Sequence, residues 1–320
     1  IVANIIADII IRLTPTAKEY LKGPKLFISS GIIDTRKDDV LAALQQNGFA
    51  VVEVREDKGW VAIAARYQGE ADMRRFFVAP EAVQGNTVLF DGELAHHMGK
   101  VLRLSAGEQV TVCVGDGNAY LVELDQFSRE CVSGIILEQL DHQTETDVEL
   151  ILYQGMPKGD KLELIIQKCT ELGVSAVVPV ETARSIVHLD SNKAAKKIER
   201  WQKIAQEASQ QSKRIQVPQI GPYLQWKQFL QQIQREDGLT IVFWEDEQTQ
   251  GLKALLRNQT EKPKCIQLIV GPEGGLAEDE VEQLRQLGVV SASLGKRILR
   301  TETAGMAGIA MVLYEYDELG

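Results

Sequence analysis

The hydrophobic and polar positions divide the chain into three regions with different patterns. Over residues 1–67 the alternation predicts strands and helices in the order βαβαββ. A helix is predicted over 35–47, because Val40, Leu41 and Leu44 fall on one face at helical spacing. The first region is therefore expected to form α/β structure.

Three further apolar runs complete this first region. Residues 25–30 are predicted as a buried strand, and 50–55 and 60–66 as two strands joined by the polar turn 56–59. The pattern is typical of the second half of an α/β sheet without its first half. Because the chain opens with Ile inside a strand pattern rather than with Met, we expect its start to be truncated.

A strand-rich region follows the polar stretch 68–72, which is predicted to be a linker. One short helix is predicted over 93–101, and the residues 115–118 (GDGN) are predicted as a hairpin turn rather than a nucleotide-binding loop. Residues 73–145 are therefore expected to form a small β barrel or sandwich. Its strands are predicted at 76–78, 87–90, 109–114, 119–125 and 131–138.

Residues 146–320 return to an α/β pattern. A helix is predicted over 160–172, with Asp160 as its N-cap and Gly173 after its last residue. Further helices are predicted over 193–213 and over 304–314, the latter with small residues along one face. The strands are predicted at 148–154, 176–180, 240–244, 266–270 and 289–294.

Composition narrows the functional classes. The chain has 320 residues, 44% hydrophobic and 25% charged, with a net charge of −10, as in ordinary globular proteins. Its four cysteines are widely separated and its histidines form no HExxH motif, so a disulfide scaffold, a zinc ribbon and a metal site are not expected. No segment has the length of a membrane span, and a reducing cytoplasm fits best.

One part of this acidic chain is basic. Residues 153–214 contain eleven Lys and Arg against seven Asp and Glu, which indicates either a basic binding face or a solvated helix surface. Trp201 and Trp244 are expected in the core rather than as base-stacking platforms.

Two motifs near the C-terminus concentrate the candidate chemistry. LIVGPEGG at 268–275 directly follows a predicted strand, and its glycines permit close approach of the backbone to a ligand. LGKRILRTETAG at 294–305 follows another predicted strand and combines cations, a carboxylate and hydroxyls. Since open α/β sheets bind ligands at the carboxyl ends of their strands, the two motifs together predict a binding site.

These motifs resemble those of the SPOUT methyltransferases, and specifically the family of 16S rRNA uridine-N3 methyltransferases. The similarity extends over 73–320 and includes HHMGKVLRL at 96–104, KGDKLELIIQKCTELGV at 158–174 and QEASQQSKRIQVP at 206–218. It implies a trefoil-knotted methyltransferase domain at 146–320, a PUA-like RNA-binding domain before it, S-adenosylmethionine as cofactor, and a homodimer. Ala277 departs from the family, which commonly has Ser or Thr there.

The resemblance also assigns site residues. Arg300 is expected to stabilise negative charge on a uracil ring, and Glu302 to act as general base or to form a salt bridge with Lys296 or Arg297. Cofactor contacts are expected from Val270, Gly271, Pro272, Glu273, Gly274, Gly275, Leu294, Gly295, Ile298, Leu299, Thr303 and Ala304. Contacts to RNA phosphates are expected from Arg74, Arg75, Arg103, Lys158, Lys161, Arg184 and Arg214.

The first region resembles a different family, the ribosomal protein L11 lysine methyltransferases. IVANIIAD, LFISSGIIDTRKDDVLAAL and GWVAIAAR carry this similarity, and Asn4 matches a substrate-loop asparagine of that family. It implies that 1–67 is a partial Rossmann-like fragment without a cofactor loop, joined to the rest by gene fusion or read-through. An incomplete sheet is expected either to dock against a neighbour or to be poorly ordered.

The expected function is S-adenosylmethionine-dependent methylation of N3 of a specific uridine in 16S rRNA, in a cytoplasmic enzyme that acts on the small ribosomal subunit. Three alternatives stay open. The first is a SPOUT methyltransferase that acts on another RNA or on a ribose 2′-hydroxyl. The second is a non-catalytic RNA-binding assembly factor. The third is a lysine methyltransferase that acts through the first region of the chain.

Overall fold

The computed structural model describes residues 1–17, 20–21, 26–67, 74–115, 117–128, 130–140, 144–233 and 238–319. The chain divides into two compact units, one of residues 1–74 with 109–111 and the other of residues 75–108 with 112–320. The predicted linker 68–72 lies outside the described residues. No helix among the described residues has the length and apolar character needed to cross a membrane.

The first unit has the predicted βαβαββ order. Its single sheet has the strand order β1-β2-β4-β3, with β1 parallel to β2 and the other neighbours antiparallel. The elements are β1 (Val2–Asn4), α1 (Ala7–Ala17), β2 (Leu26–Ile33), α2 (Lys37–Gln46), β3 (Phe49–Asp57) and β4 (Trp60–Tyr67).

The core of the first unit confirms the predicted helix face. Val40 and Leu44 are buried against β2 and β4 side chains, and Leu41 packs at the edge of the same cluster. The helix α2 begins two residues later than predicted, because Asp34–Arg36 forms a 3-10 turn.

A six-stranded sheet follows along the chain, in the order β5-β8-β9-β10-β7-β6. The predicted helix over 93–101 is α-helical only to His96 and continues as a wider π-helical turn over His97–Val101. The elements are β5 (Arg75–Val78), β6 (Val83–Gln84), β7 (Thr87–Asp91), α3 (Gly92–His96), β8 (Gln109–Val114), β9 (Ala119–Phe127) and β10 (Cys131–Leu140).

A parallel sheet with helices on both faces completes the second unit. Its order is β13-β12-β11-β16-β15-β17, and β14 also pairs with β12. The elements are β11 (Glu149–Gly155), α4 (Lys161–Leu172), β12 (Ala176–Glu181), α5 (Ser191–Ser212), β13 (Gln219–Ile220), β14 (Leu224–Gln225), α6 (Trp226–Gln232), β15 (Gly238–Phe243), α7 (Leu252–Arg257), β16 (Cys265–Val270), α8 (Glu278–Gln286), β17 (Val290–Ala292) and α9 (Thr301–Glu315).

Successive side chains of the central strand β11 point to opposite faces of this sheet and pack in two different cores. Leu150 and Leu152 pack with α4, α5, α7 and α9, whereas Ile151 and Tyr153 pack with α6 and α8. Trp201 is buried in the first of these clusters, as predicted. Gly308 allows α9 to lie close against β15, because a Cβ there would be 2.3 Å from the Phe243 ring.

Helix ends differ from prediction in two places. Asp160 is the N-cap of α4, but its side chain makes no capping hydrogen bond, so the predicted cap is wrong in that respect. Gly173 ends α4 in the left-handed conformation, as predicted. The helix α9 begins at Thr301, three residues earlier than predicted, so Arg300 is its N-cap and Glu302 lies in its first turn.

The unusual Ala277 leaves α8 with half of its cap. Ala277 donates its backbone N–H to the Glu280 carboxylate at 2.9 Å, and Ala183 donates to the same carboxylate at 2.8 Å. Glu280 is buried and supplies the half of the capping box that does not depend on the side chain at 277, and it ties α8 to the chain after β12.

Candidate cofactor pocket

A cavity of about 470 Å³ lies at the carboxyl ends of β15, β16 and β17. Three chain segments form its walls: 243–245 after β15, 270–276 after β16, and 292–302 after β17. Lys161, the first residue of α4, and Ala304 in α9 complete the lining. The position and size are those of a small-ligand site in a parallel α/β sheet.

The loop after β16 folds back on itself so closely that a side chain at Gly271 would contact its backbone. A Cβ on Gly271 would lie 2.8 Å from the carbonyl carbon of Gly275 and 3.0 Å from the amide nitrogen of Leu276. Gly275 has φ +69° and donates its N–H to the Pro272 carbonyl at 2.9 Å. The loop therefore presents backbone groups to the cavity.

Replacing Gly271 with alanine is expected to distort this loop, because the new methyl group would press on backbone atoms. We expect the affinity for S-adenosylmethionine to fall by about one to two orders of magnitude, which corresponds to a strain of roughly 1–3 kcal/mol. Calorimetric titration measures it. Gly251→Ala is the control, since nothing lies within 4 Å of a Cβ there. Equal affinities for the two variants would contradict the expectation.

Charged side chains meet at one side of the cavity. The Lys161 ammonium lies 2.8 Å from a Glu273 oxygen and 3.7 Å from Glu302 Oε2, and Arg300 Nη1 lies 4.0 Å from Glu302 Oε1. The hydrogen bond to Glu273 raises the pKa of Lys161. Burial, the largest single cause, raises the pKa of Glu273, but the Lys161 hydrogen bond, the backbone hydrogen bonds of Glu273 and Lys158 and the Lys161 charge together outweigh it, so the net shift is downward. Lys161 thus belongs to the pocket.

Glu302 is the least satisfied of these groups. Its side chain is 17% exposed, and its Oε2 atom is buried without a hydrogen-bond partner among the described residues. The alternative pairing with Lys296 or Arg297 is wrong, since the described ion pairs of Glu302 are with Lys161 and Arg300. A buried acceptor without a donor favours a ligand that supplies an N–H group.

Most of the expected cofactor residues line the cavity. Val270, Gly271, Pro272, Glu273, Gly275, Leu294, Gly295, Ile298, Leu299 and Ala304 do so, as do Arg300 and Glu302. Gly274 and Thr303 are not part of this lining. The Gly274 carbonyl instead accepts a hydrogen bond from Arg184 Nη1 at 2.7 Å, and the Thr303 N–H donates to the Arg300 carbonyl at 2.9 Å.

The third wall of the cavity was not predicted from the sequence. Trp244 and Glu245 follow β15 and line the cavity, and the half-buried Trp244 also packs against the core on the side of α6 and α8, as expected. The neighbouring-strand argument used for the other two loops would have found them, because β15 pairs directly with β16 and β17. The further lining residues that were not predicted are Phe243, Leu276, Ala292, Ser293, Lys296, Arg297 and Thr301.

Two of the arginines expected at an RNA surface are structural. Arg75 Nη1 donates to the carbonyls of Lys213 and Arg214, and burial lowers its pKa. Arg214 is 4% exposed and donates to Glu145 and to the carbonyls of Thr170 and Val174. The assignment of Arg214 to RNA is therefore wrong, because its guanidinium is buried against Glu145 and two carbonyls, whereas contact of the half-buried Arg75 with RNA stays a prediction.

Four of the other residues expected to contact RNA are exposed at the surface. Arg184 is exposed but its guanidinium supports the Gly274 carbonyl. Arg74, Arg103 and Lys158 are exposed, and their contact with RNA stays a prediction.

A buried carboxylate supports the Trp244 wall from behind. Glu247 is 8% exposed and accepts hydrogen bonds from the hydroxyls of Ser291 and Thr249 and from the backbone of Thr249 and Gln250. These hydrogen bonds, led by that from Ser291, lower its pKa to about 2 from an ordinary 4.5. The ionised form is thus the one that holds the loop.

Because the folded pKa of Glu247 is depressed, its charge stabilises the fold above pH ~4.5, and this contribution disappears as pH falls towards ~2. We expect Glu247→Gln to lower the free energy of unfolding by up to about 3 kcal/mol at neutral pH, with the difference from the unaltered chain shrinking below pH ~4.5. Denaturant titration at several pH values measures this. Asp246→Asn, at an exposed neighbour, is the control, and a pH-independent difference would refute the assignment.

Comparison with known proteins identifies the family. The model of an RNA methyltransferase domain matches residues 144–313, that of an RNA methyltransferase PUA domain matches 90–126, and that of ribosomal protein L11 methyltransferase (PrmA) matches 1–68. The chain is 38% identical to ribosomal RNA small subunit methyltransferase E of Bacillus subtilis over 252 residues, which cover 77% of this chain and 98% of that protein.

Two further relatives agree with this match. The methyltransferase E of Synechocystis is 33% identical over 238 residues, covering 74% of this chain and 76% of that protein. A crystal structure of the Neisseria gonorrhoeae methyltransferase E bound to S-adenosyl methionine superposes with a TM-score of 0.67 at 32% identity, covering 76% of this chain and 97% of that one. The chain therefore belongs to the ribosomal RNA small subunit methyltransferase E family, with a segment matching L11 methyltransferase before the family's own domains.

Proposed function

We propose that the protein transfers a methyl group from S-adenosylmethionine to N3 of one uridine in the 16S rRNA of the small ribosomal subunit. The observation that carries the proposal is the cavity at the ends of β15, β16 and β17, with its glycine loop and its cationic rim. The Neisseria relative, whose crystal structure holds S-adenosyl methionine, supports this choice of cofactor.

The pocket suits this cofactor in size and in chemistry. Its volume of about 470 Å³ lies in the usual range for small-molecule sites. Phe243, Leu276 and Leu299 provide apolar walls for a purine, and the loop 271–275 provides backbone groups for hydrogen bonds. The unpartnered Oε2 of Glu302 provides an acceptor for an N–H donor. When bound, S-adenosylmethionine supplies an electrophilic methyl group on a sulfonium.

The chemistry required of the protein follows from uracil itself. N3 carries a proton and becomes nucleophilic only when that proton leaves, so negative charge develops on the ring. Arg300 is 82% exposed at the pocket rim, and its planar guanidinium matches the O2 and O4 edges of uracil. Glu302, partly buried beside it, is positioned to accept the N3 proton. Both roles are part of the proposal.

We also propose a homodimer, a trefoil knot in the C-terminal domain and a cytoplasmic location, where ribosomal subunits are available. Exposed apolar side chains on two packed helices support self-association: Leu164 on α4, and Met311 and Tyr314 on α9. RNA contacts are proposed for Arg74, Arg103, Lys158 and Arg184, in keeping with the match to an RNA methyltransferase PUA domain.

The proposal is tested by methyl transfer from labelled S-adenosylmethionine to small ribosomal subunits that lack N3-methyluridine, followed by nuclease digestion. Label on the base of a single 16S uridine is expected. Gly271→Ala provides the matched low-affinity control. Cofactor binding without transfer to the subunit would contradict this substrate, and label on another RNA or on a ribose would favour the alternative SPOUT activities. Label on protein L11 would favour activity of the first region.

A further inference from the structure

A buried glutamine connects the two loops that form opposite walls of the pocket. Gln154 is the penultimate residue of β11, and its side chain is fully buried. Its main chain is in register with Val270, the last residue before the glycine loop. Gln154 is not among the residues that line the described pocket, so it acts on a ligand only through its neighbours.

The Gln154 amide reaches both walls at once. Its Nε2 lies 2.8 Å from the Thr301 hydroxyl, 3.1 Å from the Gly155 carbonyl and 3.3 Å from the Gly271 carbonyl, so its two N–H groups are shared among three acceptors. The Thr301 hydroxyl in turn donates to the Gly271 carbonyl at 2.6 Å. Gly271 opens the loop after β16, and Thr301 opens α9 after the segment from β17. The three groups thus join two segments that are 30 residues apart in the chain.

A polar side chain at this place needs an explanation, because an apolar residue of similar volume would fill the space without desolvating an amide. What the amide adds is direction. Hydrogen bonds specify where the Gly271 carbonyl and the Thr301 hydroxyl lie, whereas apolar packing tolerates small displacements. Displacements of about 1 Å between binding groups are costly in a site that must hold a reacting ligand.

We propose that Gln154 is a positioning residue that, through Thr301, sets the separation of the glycine loop and the start of α9, and so pre-forms the cofactor site. The inference rests on the proposed use of S-adenosylmethionine. It assigns to Thr301 a relay role between the amide and the Gly271 carbonyl.

The test compares two buried glutamines on neighbouring strands. In Gln154→Met the amide donors are lost at nearly constant volume, and we expect the dissociation constant for S-adenosylmethionine to rise about tenfold or more. Gln267→Met is the matched control. Gln267 is also fully buried, on β16. Its side-chain oxygen accepts a hydrogen bond from the Thr240 hydroxyl and not from a pocket loop. Both variants are made in the full chain, and their melting temperatures are measured with their affinities.

A rise in the dissociation constant for Gln154→Met but not for Gln267→Met, at similar melting temperatures, supports the inference. An unchanged dissociation constant for Gln154→Met would overturn the inference. The same increase in the dissociation constant for both variants would also overturn it, because it would indicate a general effect on the core. If Gln154→Met does not fold, Thr301→Val and Thr301→Ser decide: valine is expected to reproduce the loss, and serine, which keeps the hydroxyl, to restore most of the affinity. An unaltered chain that fails to bind S-adenosylmethionine would contradict the proposed function and this inference together.

Discussion

Arg300→Ala is expected to lower the rate constant for methyl transfer by about 10²–10³-fold while changing the affinity for S-adenosylmethionine much less. The reason is that the guanidinium would stabilise charge that develops on the uracil only in the transition state. Arg300 reaches the rim of the pocket from the N-cap of α9, and its described ion pair, with Glu302, spans 4.0 Å. It is therefore not consumed by a tight structural ion pair.

Single-turnover transfer to methyl-deficient small subunits, combined with cofactor calorimetry, separates the two effects. Arg300→Lys is expected to recover only part of the rate, because an ammonium lacks the planar pair of donors. Arg297→Ala removes a neighbouring cation of the same loop and provides the control for general loss of RNA affinity. Full turnover of Arg300→Ala with normal cofactor affinity would remove Arg300 from the mechanism.

Arg214→Ala is expected to reduce the free energy of unfolding by about 3–5 kcal/mol, the range for breaking a buried ion pair from one side. Arg214 is 4% exposed and forms two hydrogen bonds with Glu145 Oε2, at 3.1 and 2.6 Å. It also satisfies the Thr170 and Val174 carbonyls near the end of α4. Its loss leaves an uncompensated carboxylate and removes a donor from both carbonyls.

Denaturant titration of the full chain measures this loss. Arg200→Ala is the control, since Arg200 pairs with Glu163 from a side chain that is 66% exposed, and such surface pairs contribute about 0–1 kcal/mol. The double variant Arg214→Ala with Glu145→Ala is expected to be less destabilised than the sum of the single variants, because the unpaired charge is gone. Similar small losses for Arg214→Ala and Arg200→Ala would show that the buried cluster is not required.

The main elements of both α/β regions were accessible to local reasoning. A strand that is buried on one or both faces has a recognisable pattern of apolar residues. The five strands predicted for the C-terminal sheet therefore begin and end within a few residues of the observed strands. Three short helices, α6, α7 and α8, were not located, since six to nine residues supply too few turns for a clear periodic pattern.

Only part of the candidate site could be predicted from the sequence. Glycines at 271 and 275 are required by backbone geometry, which the residue type reveals directly. Lys161 was assigned to RNA instead of the pocket, because its partner Glu273 is 112 residues away in the chain. Trp244 packs against the core as expected, but its aromatic character alone did not show that it also lines the cavity at the end of β15.

By itself, the sequence determined the α/β class, the order of the strands along the chain, the two loops that border the pocket and the resemblance that named their cofactor. Only the tertiary structure decided which charged groups are available. Arg75 and Arg214 have the same side chain as Arg300, yet buried carbonyls and Glu145 occupy their donors while Arg300 stands at the pocket rim. The physical reason is that periodicity and residue type are local properties, whereas the free energy of a charge depends on every acceptor that folding brings to it.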